Sequence, residues 1–237
     1  MNWLLDTPIA HRGLFDNVKI PENSLTSFQA AVDSGFPIEL DVRILSDGHL
    51  VVFHDHALAR MTGLKGSILK MTLKELKTVK LLDTDQGIPL LSDVLKLVNG
   101  KVPLLLEIKT RKNIGWLELK LLNMLSKYKG EYAIESFNPW SIKWFRDNAP
   151  EITRGQLSSG FGTRRLAIKN TLLRATFLSR LSKPDFIAFD VRYLPCRSIK
   201  NLKEKGYPII GYTARSREEF DRAMQYCNNI IFEGFIP

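Results

Sequence analysis

Cysteine is scarce in this sequence of 237 residues, where only Cys196 and Cys227 occur. Their separation matches no metal-binding spacing, and neither lies in a sequence context typical of a catalytic thiol. Small extracellular domains that depend on disulfides contain many more cysteines for their length. We therefore expect two reduced thiols in a cytoplasmic protein.

Long apolar runs are also missing. No stretch approaches the roughly 20 apolar residues that a membrane-spanning helix needs. Residues 1–10 contain Asp6 and Pro8 and lack the charged segment and long apolar segment of a secretory signal. We expect neither a transmembrane segment nor a signal peptide.

Acidic residues are fewer than basic ones: the sequence has 25 Asp and Glu and 34 Lys and Arg, which gives a net charge of +9. Such an excess suits nucleic acid, an anionic membrane surface or small anionic substrates. The sequence has no zinc-finger spacing, no RNA-binding signature and no basic stripe interleaved with aromatics. We therefore expect no nucleic-acid partner, and the charge leaves an anionic membrane surface and small anionic substrates open.

Short apolar segments alternate with segments of helical periodicity through most of the chain. The strand candidates are 8–11, 38–44, 50–54, 102–109, 132–136, 153–157, 185–191, 208–213 and 229–233. Helices are predicted at 24–34, 116–128, 140–148, 198–205 and 216–226. Strands that alternate with helices form βαβ units and a parallel sheet, and eight of them close a TIM-type (β/α)8 barrel. Residues 50–54 are the likeliest extra strand, since only the turn at Asp47-Gly48 precedes them.

Two segments depart from an ideal barrel. Residues 55–91 are long and weakly periodic, which indicates a small insertion after the second strand. Few residues follow the last strand before Pro237, so we expect the last helix to be reduced or missing. The prediction is a single barrel domain over 1–237. Its bare wall would be covered by Trp3-Leu4-Leu5 or by a second subunit, which would make the protein a homo-oligomer.

Acidic residues end two of the predicted strands. Glu39 and Asp41 are two residues apart in Ile38–Ile44 and therefore face the same side of the strand. Glu107 lies at the end of the apolar run Leu104-Leu105-Leu106. Buried carboxylates need a metal or a paired cation. Three of them at strand ends form an oxygen site suited to Mg²⁺ or Ca²⁺, or they form internal salt bridges with Arg12 and Lys109.

Histidines end two further strand candidates. His11 closes the first strand, in His11-Arg12-Gly13, and His54 closes the third, in Phe53-His54-Asp55. Barrel enzymes place their chemistry at the carboxyl ends of strands, where a histidine can exchange a proton near neutral pH. A structural role remains open for both. His49 and His56 lie in turn or insertion sequence, and we expect them at the surface.

Two basic residues accompany the acids and histidines. Arg12 offers a planar fork for phosphate oxygens, and Lys109 offers a point charge. Together with a divalent metal and two histidines at one barrel mouth, they would suit the hydrolysis of a phosphodiester. Alternatively, they only neutralise the carboxylates.

The motifs that contain these residues resemble those of the glycerophosphodiester phosphodiesterase family, in the family's order and spacing. They are His11-Arg12-Gly13, Pro21-Glu22-Asn23-Ser24, Glu39-Leu40-Asp41-Val42, Phe53-His54-Asp55, Ile88-Pro89-Leu90-Leu91 and Glu107-Ile108-Lys109. Ser136-Phe137-Asn138-Pro139 is similar to a later family segment. The resemblance is dense from Pro8 to Lys109 and looser beyond.

The resemblance implies a TIM barrel and the hydrolysis of glycerophosphodiesters to an alcohol and glycerol 3-phosphate. It assigns acid–base catalysis to two residues, divalent metal binding to three, and phosphate binding to two. The acid–base residues would be His11 and His54. The metal would be held by Glu39, Asp41 and Glu107, and the phosphate would be contacted by Arg12 and Lys109.

Two segments depart from the family pattern. Where the family often has Trp-Thr-Val-Asn, this chain has Gly211-Tyr212-Thr213-Ala214, and the acidic ending of the family is here 231–237. Both segments would line the alcohol or glycerol side of the pocket. Tyr212, in the position of the family's tryptophan, is expected to contact the glycerol carbons.

Three alternatives remain open. A lysophospholipase D-type enzyme would use the same residues on a lipid and should have exposed apolar loops at the barrel mouth. A non-catalytic anion-binding barrel is a second alternative. The third is a membrane-surface adaptor acting through the basic stretch 153–184, which otherwise forms a barrel helix. A polar mouth favours small, soluble glycerophosphodiesters over bilayer lipids.

Overall fold

The computed structural model describes residues 3–110, 113–159 and 181–237. Nine strands form one sheet in the order β1-β9-β8-β7-β6-β5-β4-β2-β3, and β1 also pairs with β2. Eight strands therefore close a parallel barrel, and β3 is an additional strand. The chain divides into two compact units, a first unit of Ala10–Tyr132 and a second unit of Met1–Ile9 with Ala133–Pro237.

The described elements agree with most of the predicted ones. The strands are β1 Ile9–His11, β2 Ile38–Ile44, β3 Leu50–Val52, β4 Leu104–Ile108, β5 Tyr132–Ser136, β6 Arg154–Ser158, β7 Phe186–Asp190, β8 Ile209–Ala214 and β9 Asn229–Phe232. The α-helices are α1 Trp3–Asp6, α2 Leu25–Asp33, α3 Ala59–Thr62, α4 Leu73–Leu76, α5 Leu91–Val98, α6 Trp116–Leu125, α7 Pro139–Asn148, α8 Arg197–Glu204 and α9 Arg217–Met224. Short 3-10 helices span Ile68–Lys70 and Val191–Tyr193.

In the first unit, β2 lies between two parallel neighbours. His11 of β1 is opposite Glu39, and Asp41 is opposite Glu107 of β4. All of β4 and all of β2 except Ile44 are buried. The extra strand β3 runs antiparallel to β2, which confirms the prediction for this segment. The register thus sets a histidine and three carboxylates on adjacent strands.

The insertion after β3 has an apolar core of its own. The cluster contains Phe53, Leu58, Met61, Ile68 and Leu76, all buried, together with five further residues of the same segment and its flanks. Sequence periodicity did not identify α3 and α4, because each is a single turn. These short helices are therefore held by burial of their apolar side chains and by capping, as where Thr72 and Glu75 cap α4 reciprocally.

The helix α5 was not predicted. Its buried residues Leu91, Val94, Leu95 and Val98 have the spacing of one helical face. The signal was therefore present in the sequence, at the point where the insertion was judged to end.

In the second unit, β5 to β9 are parallel neighbours in chain order. Residues 233–237, after β9, contain no helix. Most of the basic stretch 153–184, proposed as a membrane adaptor, lies outside the described residues. Within the described ranges, no helix has both the length and the apolar character needed to cross a bilayer.

The N-terminal helix α1 packs on the last strand. Leu4 is 1% exposed, and the side-chain amide of Asn229 on β9 donates to the carbonyl oxygens of Leu4 (3.0 Å) and Thr7 (2.7 Å). This arrangement confirms the expectation that Trp3-Leu4-Leu5 covers the wall at the last strand.

Leu4→Ala should destabilise the protein by about 2–5 kcal/mol, the usual cost of truncating a fully buried leucine. Leu5→Ala is the matched control, because Leu5 is only partly buried. Urea unfolding followed by circular dichroism measures both. Equal losses for the two variants would show that α1 contributes no specific packing.

Candidate active site

Three carboxylates predicted as ligands come together in the first unit. Oxygen atoms of Glu39, Asp41 and Glu107 all lie within 4.8 Å of one another. Asp41 has no exposed surface, and Glu39 and Glu107 are 1% and 7% exposed. The parallel register of β2 and β4 brings them together, since it sets Asp41 beside Glu107. This is a set of hard oxygen donors in a buried position.

Two predicted cations contact the same carboxylates. The Nζ atom of Lys109 lies 2.6 Å from Glu107 Oε1 and 2.9 Å from Asp41 Oδ1. The Nε atom of Arg12 lies 3.2 Å from Asp41 Oδ2, and its backbone amide donates to Glu39 Oε2 at 3.1 Å. The internal salt bridges considered from the sequence are therefore present in addition to the carboxylate cluster.

The cations compensate the three carboxylates unequally. Burial alone would raise the pKa of Asp41, but Lys109 and Arg12 outweigh it and hold that pKa well below its ordinary value. Burial, with the nearby charge of Asp41, raises the pKa of Glu107 despite its contact with Lys109. The charge of Glu107 is therefore incompletely compensated by the protein.

The turn after β1 places Arg12 in this position. Arg12 and Gly13 both have positive φ, at 55° and 81°. A β-carbon on Gly13 would lie 2.6 Å from Ser27 Oγ, so the turn can pack on α2 only with glycine there. Ser27 donates to the carbonyl oxygen of Arg12 at 3.0 Å. Close packing of the turn on the helix thus orients the guanidinium toward Asp41.

The two histidines predicted for catalysis both lie in this unit. The Nε2 atom of His11 is 3.8 Å from Glu39 Oε2. The Nδ1 atom of His54 is 2.6 Å from Asp55 Oδ1, a contact that leaves Nε2 for other partners. Burial lowers the pKa of His54, with Lys109 and Arg12 adding to the shift and Asp41 and Asp55 opposing it. His54 therefore stays neutral to lower pH than an ordinary histidine.

A second row of charged residues supports the first, and sequence reasoning assigned it no role. Arg60, on α3 of the insertion, donates to both carboxylate oxygens of Glu22 at 2.7 and 2.9 Å and to Asp55 at 2.6 Å. Glu22 also accepts from Arg12 at 2.7 Å. The contacts run from His54 through Asp55, Arg60 and Glu22 to Arg12, so the insertion is tied to both ends of the site.

Asn23 completes this row. Its side-chain amide donates to Asp41 Oδ2 at 2.7 Å. Glu22 and Asn23 belong to a motif that the resemblance identified, but only the contact with the buried carboxylate gives Asn23 a role. No periodicity predicts a pair that is 18 residues apart.

The remaining predicted residues lie elsewhere. His49 and His56 are exposed, as expected, with Asp47 and Ser67 as partners. Tyr212 belongs to the second unit, where its hydroxyl donates to the carbonyl oxygen of Ser158 at 3.0 Å. Its ring stands edge-on to that of Phe137.

The second unit has buried polar side chains that the sequence analysis did not single out. Glu135 of β5, Gln156 of β6 and Asp190 of β7 are 1–3% exposed. Gln156 donates to the carbonyl oxygen of Ser136 at 2.9 Å, and both carboxylate oxygens of Asp190 accept from the guanidinium of Arg192. Each is one polar residue among others in its strand or at its end, and its position in the sequence gives no indication of its role.

The carboxylate cluster fits a divalent metal ion. Its donors are oxygens, they are buried, and they lie close enough to share one ion. The raised pKa of Glu107 indicates negative charge that Arg12 and Lys109 do not fully compensate. Glu39, Asp41 and Glu107 could therefore hold a divalent metal.

Comparison with known proteins agrees with this geometry. The sequence model of the glycerophosphoryl diester phosphodiesterase family matches residues 11–236. A glycerophosphodiester phosphodiesterase of Bacillus altitudinis is 34% identical over 205 residues, which cover 84% of this chain and 73% of that protein. One from Caldanaerobacter subterraneus subsp. tengcongensis is 35% identical over 161 residues, 63% of this chain. The match spans 65% of that relative, just under two thirds of its length.

The fold has a solved counterpart. The structure of an Oleispira antarctica phosphodiesterase in complex with the product sn-glycerol-3-phosphate superposes with a TM-score of 0.82. It is 23% identical, and the superposition covers 97% of this chain and 93% of that one. The structural match supports the barrel, and the sequence matches carry the assignment further: this chain belongs to the glycerophosphoryl diester phosphodiesterase family.

Proposed function

We propose that the protein hydrolyses glycerophosphodiesters to an alcohol and glycerol 3-phosphate, with a divalent metal and two histidines. The observation that carries the proposal is the grouping of three buried carboxylates, two cations and two histidines in the first unit. Family membership supports it, as does the related phosphodiesterase solved with sn-glycerol-3-phosphate.

Binding of the phosphate is assigned to Arg12 and Lys109. Glu39, Asp41 and Glu107 would hold Mg²⁺ or Ca²⁺, which withdraws charge from the phosphate when bound. Arg12 is fixed by Glu22 and by its contact with Asp41, so its guanidinium is oriented before substrate arrives. Such preorganised positive charge stabilises the charge that develops on the phosphate oxygens in the transition state.

His11 and His54 exchange the protons of the reaction. One accepts a proton from the attacking hydroxyl as the new P–O bond forms. The other donates a proton to the oxygen of the departing alcohol as its P–O bond breaks. The attacking group is water, or the neighbouring glycerol hydroxyl, in which case a cyclic phosphate forms first and water then opens it. Asp55 holds the His54 ring through Nδ1 and leaves Nε2 as the nitrogen that would exchange the proton.

The proposed ligand is a small glycerophosphodiester, and Tyr212 is the residue proposed to contact its glycerol carbons. The match of the family to 11–236 supports one catalytic domain. A cytoplasmic location is proposed as well, in keeping with two free cysteines.

A lysophospholipase D-type activity is the second candidate, because apolar side chains are exposed on two loops of the first unit, which contains the candidate site. Val18, on the loop after β1, is 73% exposed, and Leu64, in the insertion, is 47% exposed. Exposed apolar loops were the feature expected of an enzyme that acts on lipids. A panel of glycerophosphodiesters and lysolipids, with Mg²⁺ or Ca²⁺ added, separates the two activities by their kcat/KM values.

In that panel, His11→Ala and His54→Ala should each lower kcat on the best substrate by roughly 10²–10⁴-fold, the usual contribution of general acid–base catalysis. Both variants should fold, because neither histidine belongs to the packed apolar core. His49→Ala is the control at an exposed position. Near wild-type turnover of either site variant, with metal saturating, would remove that histidine from the mechanism.

Glu107→Gln should weaken the binding of Mg²⁺ or Ca²⁺ by more than about 10-fold, because it removes one charged ligand from a buried set. Isothermal titration calorimetry on metal-stripped protein measures the Kd directly, without reference to activity. Asp93→Asn, which neutralises an exposed carboxylate on α5, is the control. Equal Kd values for Glu107→Gln and wild type would refute the ligand assignment.

Asp55→Asn should shift one limb of the pH–rate profile to lower pH. The carboxylate of Asp55 raises the pKa of His54, so its loss lets that pKa fall further. The ring also loses its charged partner, and kcat should drop by about 10-fold or more. Asp47→Asn, at the equivalent contact with exposed His49, is the control. An unmoved profile would separate Asp55 from His54 in function.

A further inference from the structure

The outward face of α6 combines apolar and basic side chains. Trp116 is 46% exposed and Leu119 is 50% exposed, and Lys120 and Asn123 follow on the same face at helical spacing. The opposite face is buried through Leu117, Leu121 and Leu125. Packing of that face anchors the helix, whereas Trp116 and Leu119, one turn apart, each keep about half of their surface exposed.

A basic groove adjoins this face. It has a volume of about 580 Å³ and lies between α5, α6 and the turn before β3. Lys96, Lys120 and Lys127 line it, Leu95 and Met124 contribute apolar surface, and no carboxylate is among its lining residues. Within the described part of the chain, none of these three lysines takes part in an ion pair. The groove is therefore a patch of uncompensated positive charge.

The tryptophan and the groove are continuous. A β-carbon built on Gly48, in the turn before β3, would lie 3.1 Å from Lys120 Nζ and 3.4 Å from Trp116 Cζ2. Both side chains therefore lie across the same turn. Trp116 is the first residue of α6, and α6 is the helix that follows β4, the strand that contains Glu107.

Two other loops of the first unit repeat the pattern of an exposed apolar residue followed by a lysine. They are Val18-Lys19 after β1 and Leu64-Lys65 in the insertion. The first loop is held in shape by Asp16, whose Oδ1 accepts the backbone N–H groups of 18, 19 and 20 at 2.8–2.9 Å. A valine that is 73% exposed on an ordered loop is presented outward.

We propose that Trp116 and Leu119 of α6 and the three groove lysines form one surface, named the α6 face, and that this surface docks onto an anionic lipid surface. Tryptophan and leucine insert at the boundary between headgroups and acyl chains, and lysines beside them attract anionic headgroups. The net charge of +9 favours the same surface. A second copy of the chain would set lysine against lysine, and nucleic acid would leave Leu119 without a partner. This docking goes beyond hydrolysis and would hold for either substrate candidate.

Sedimentation of the full chain with vesicles tests the docking. One set of vesicles is phosphatidylcholine alone, and the other contains phosphatidylglycerol as well. Wild type should bind the anionic vesicles and bind neutral ones much more weakly. Two variants should lower the partition coefficient for anionic vesicles by about 10-fold or more. They are Trp116→Ser with Leu119→Ser, and Lys96→Glu with Lys120→Glu and Lys127→Glu.

Matched controls separate the α6 face from general properties of the chain. Met224→Ser removes a different exposed apolar side chain, and Lys200→Glu with Lys203→Glu and Lys205→Glu makes the same change in net charge on α8 and the residue that follows it. Both controls should bind like wild type. If the α8 variant lost as much vesicle binding as the variant of the groove lysines, the attraction would be due to overall charge. If the variant of Trp116 and Leu119 lost no vesicle binding, these two side chains would not insert into the membrane. Either result overturns the proposal.

Absence of binding to both kinds of vesicle would overturn it as well. Hydrolysis of a soluble glycerophosphodiester by the α6-face variants should remain at the wild-type rate, because none of these residues belongs to the catalytic site. That measurement also keeps the docking apart from the proposed function. If the α6-face variants lose vesicle binding and keep hydrolysis, the docking proposal is supported. If the wild type binds vesicles but hydrolyses no glycerophosphodiester, only the proposed hydrolytic function is refuted.

Discussion

A carboxylate without exposed surface requires compensation, and at Asp41 that requirement organises the site. Lys109 forms an ion pair with one carboxylate oxygen of Asp41. Arg12 and the side-chain amide of Asn23 contact the other oxygen. Each partner comes from a different part of the chain, so one buried charge fixes the end of β4, the turn after β1 and the start of α2. The compensation is uneven, because Glu107 keeps a raised pKa beside the same lysine. A divalent ion would balance that excess.

The second row of charged residues, Glu22, Arg60 and Asp55, connects Arg12 to His54. Arg60 bridges Glu22 and Asp55, and each of these contacts one component of the site. Because Arg60 is partly exposed, its ion pairs are partly screened, and their role is positional more than stabilising. Asp55 and Arg60 thus tie the insertion to the His54 ring.

The sequence predicted the strands and the identity of the clustered residues, since alternation and strand-end position are local properties. Glu39 and Asp41 could be placed on one face from their spacing alone. The bridge from Arg60 to Glu22 could not be predicted, because it joins residues 38 apart through a tertiary contact. The helix α5 has the apolar spacing of a helix, but it was not predicted, because it begins at Leu91, where the predicted insertion ends, and no element is predicted between there and the strand at 102–109. The single-turn helices α3 and α4 depend on packing, which no short window contains.

The apolar core of the insertion is filled almost entirely by the segment between β3 and α5. A module of this kind can change its loops and its length while the neighbouring strands keep their side chains and register. Mutations there are therefore partly insulated from the carboxylate cluster and the two histidines, provided that Arg60 keeps its contacts with Glu22 and Asp55.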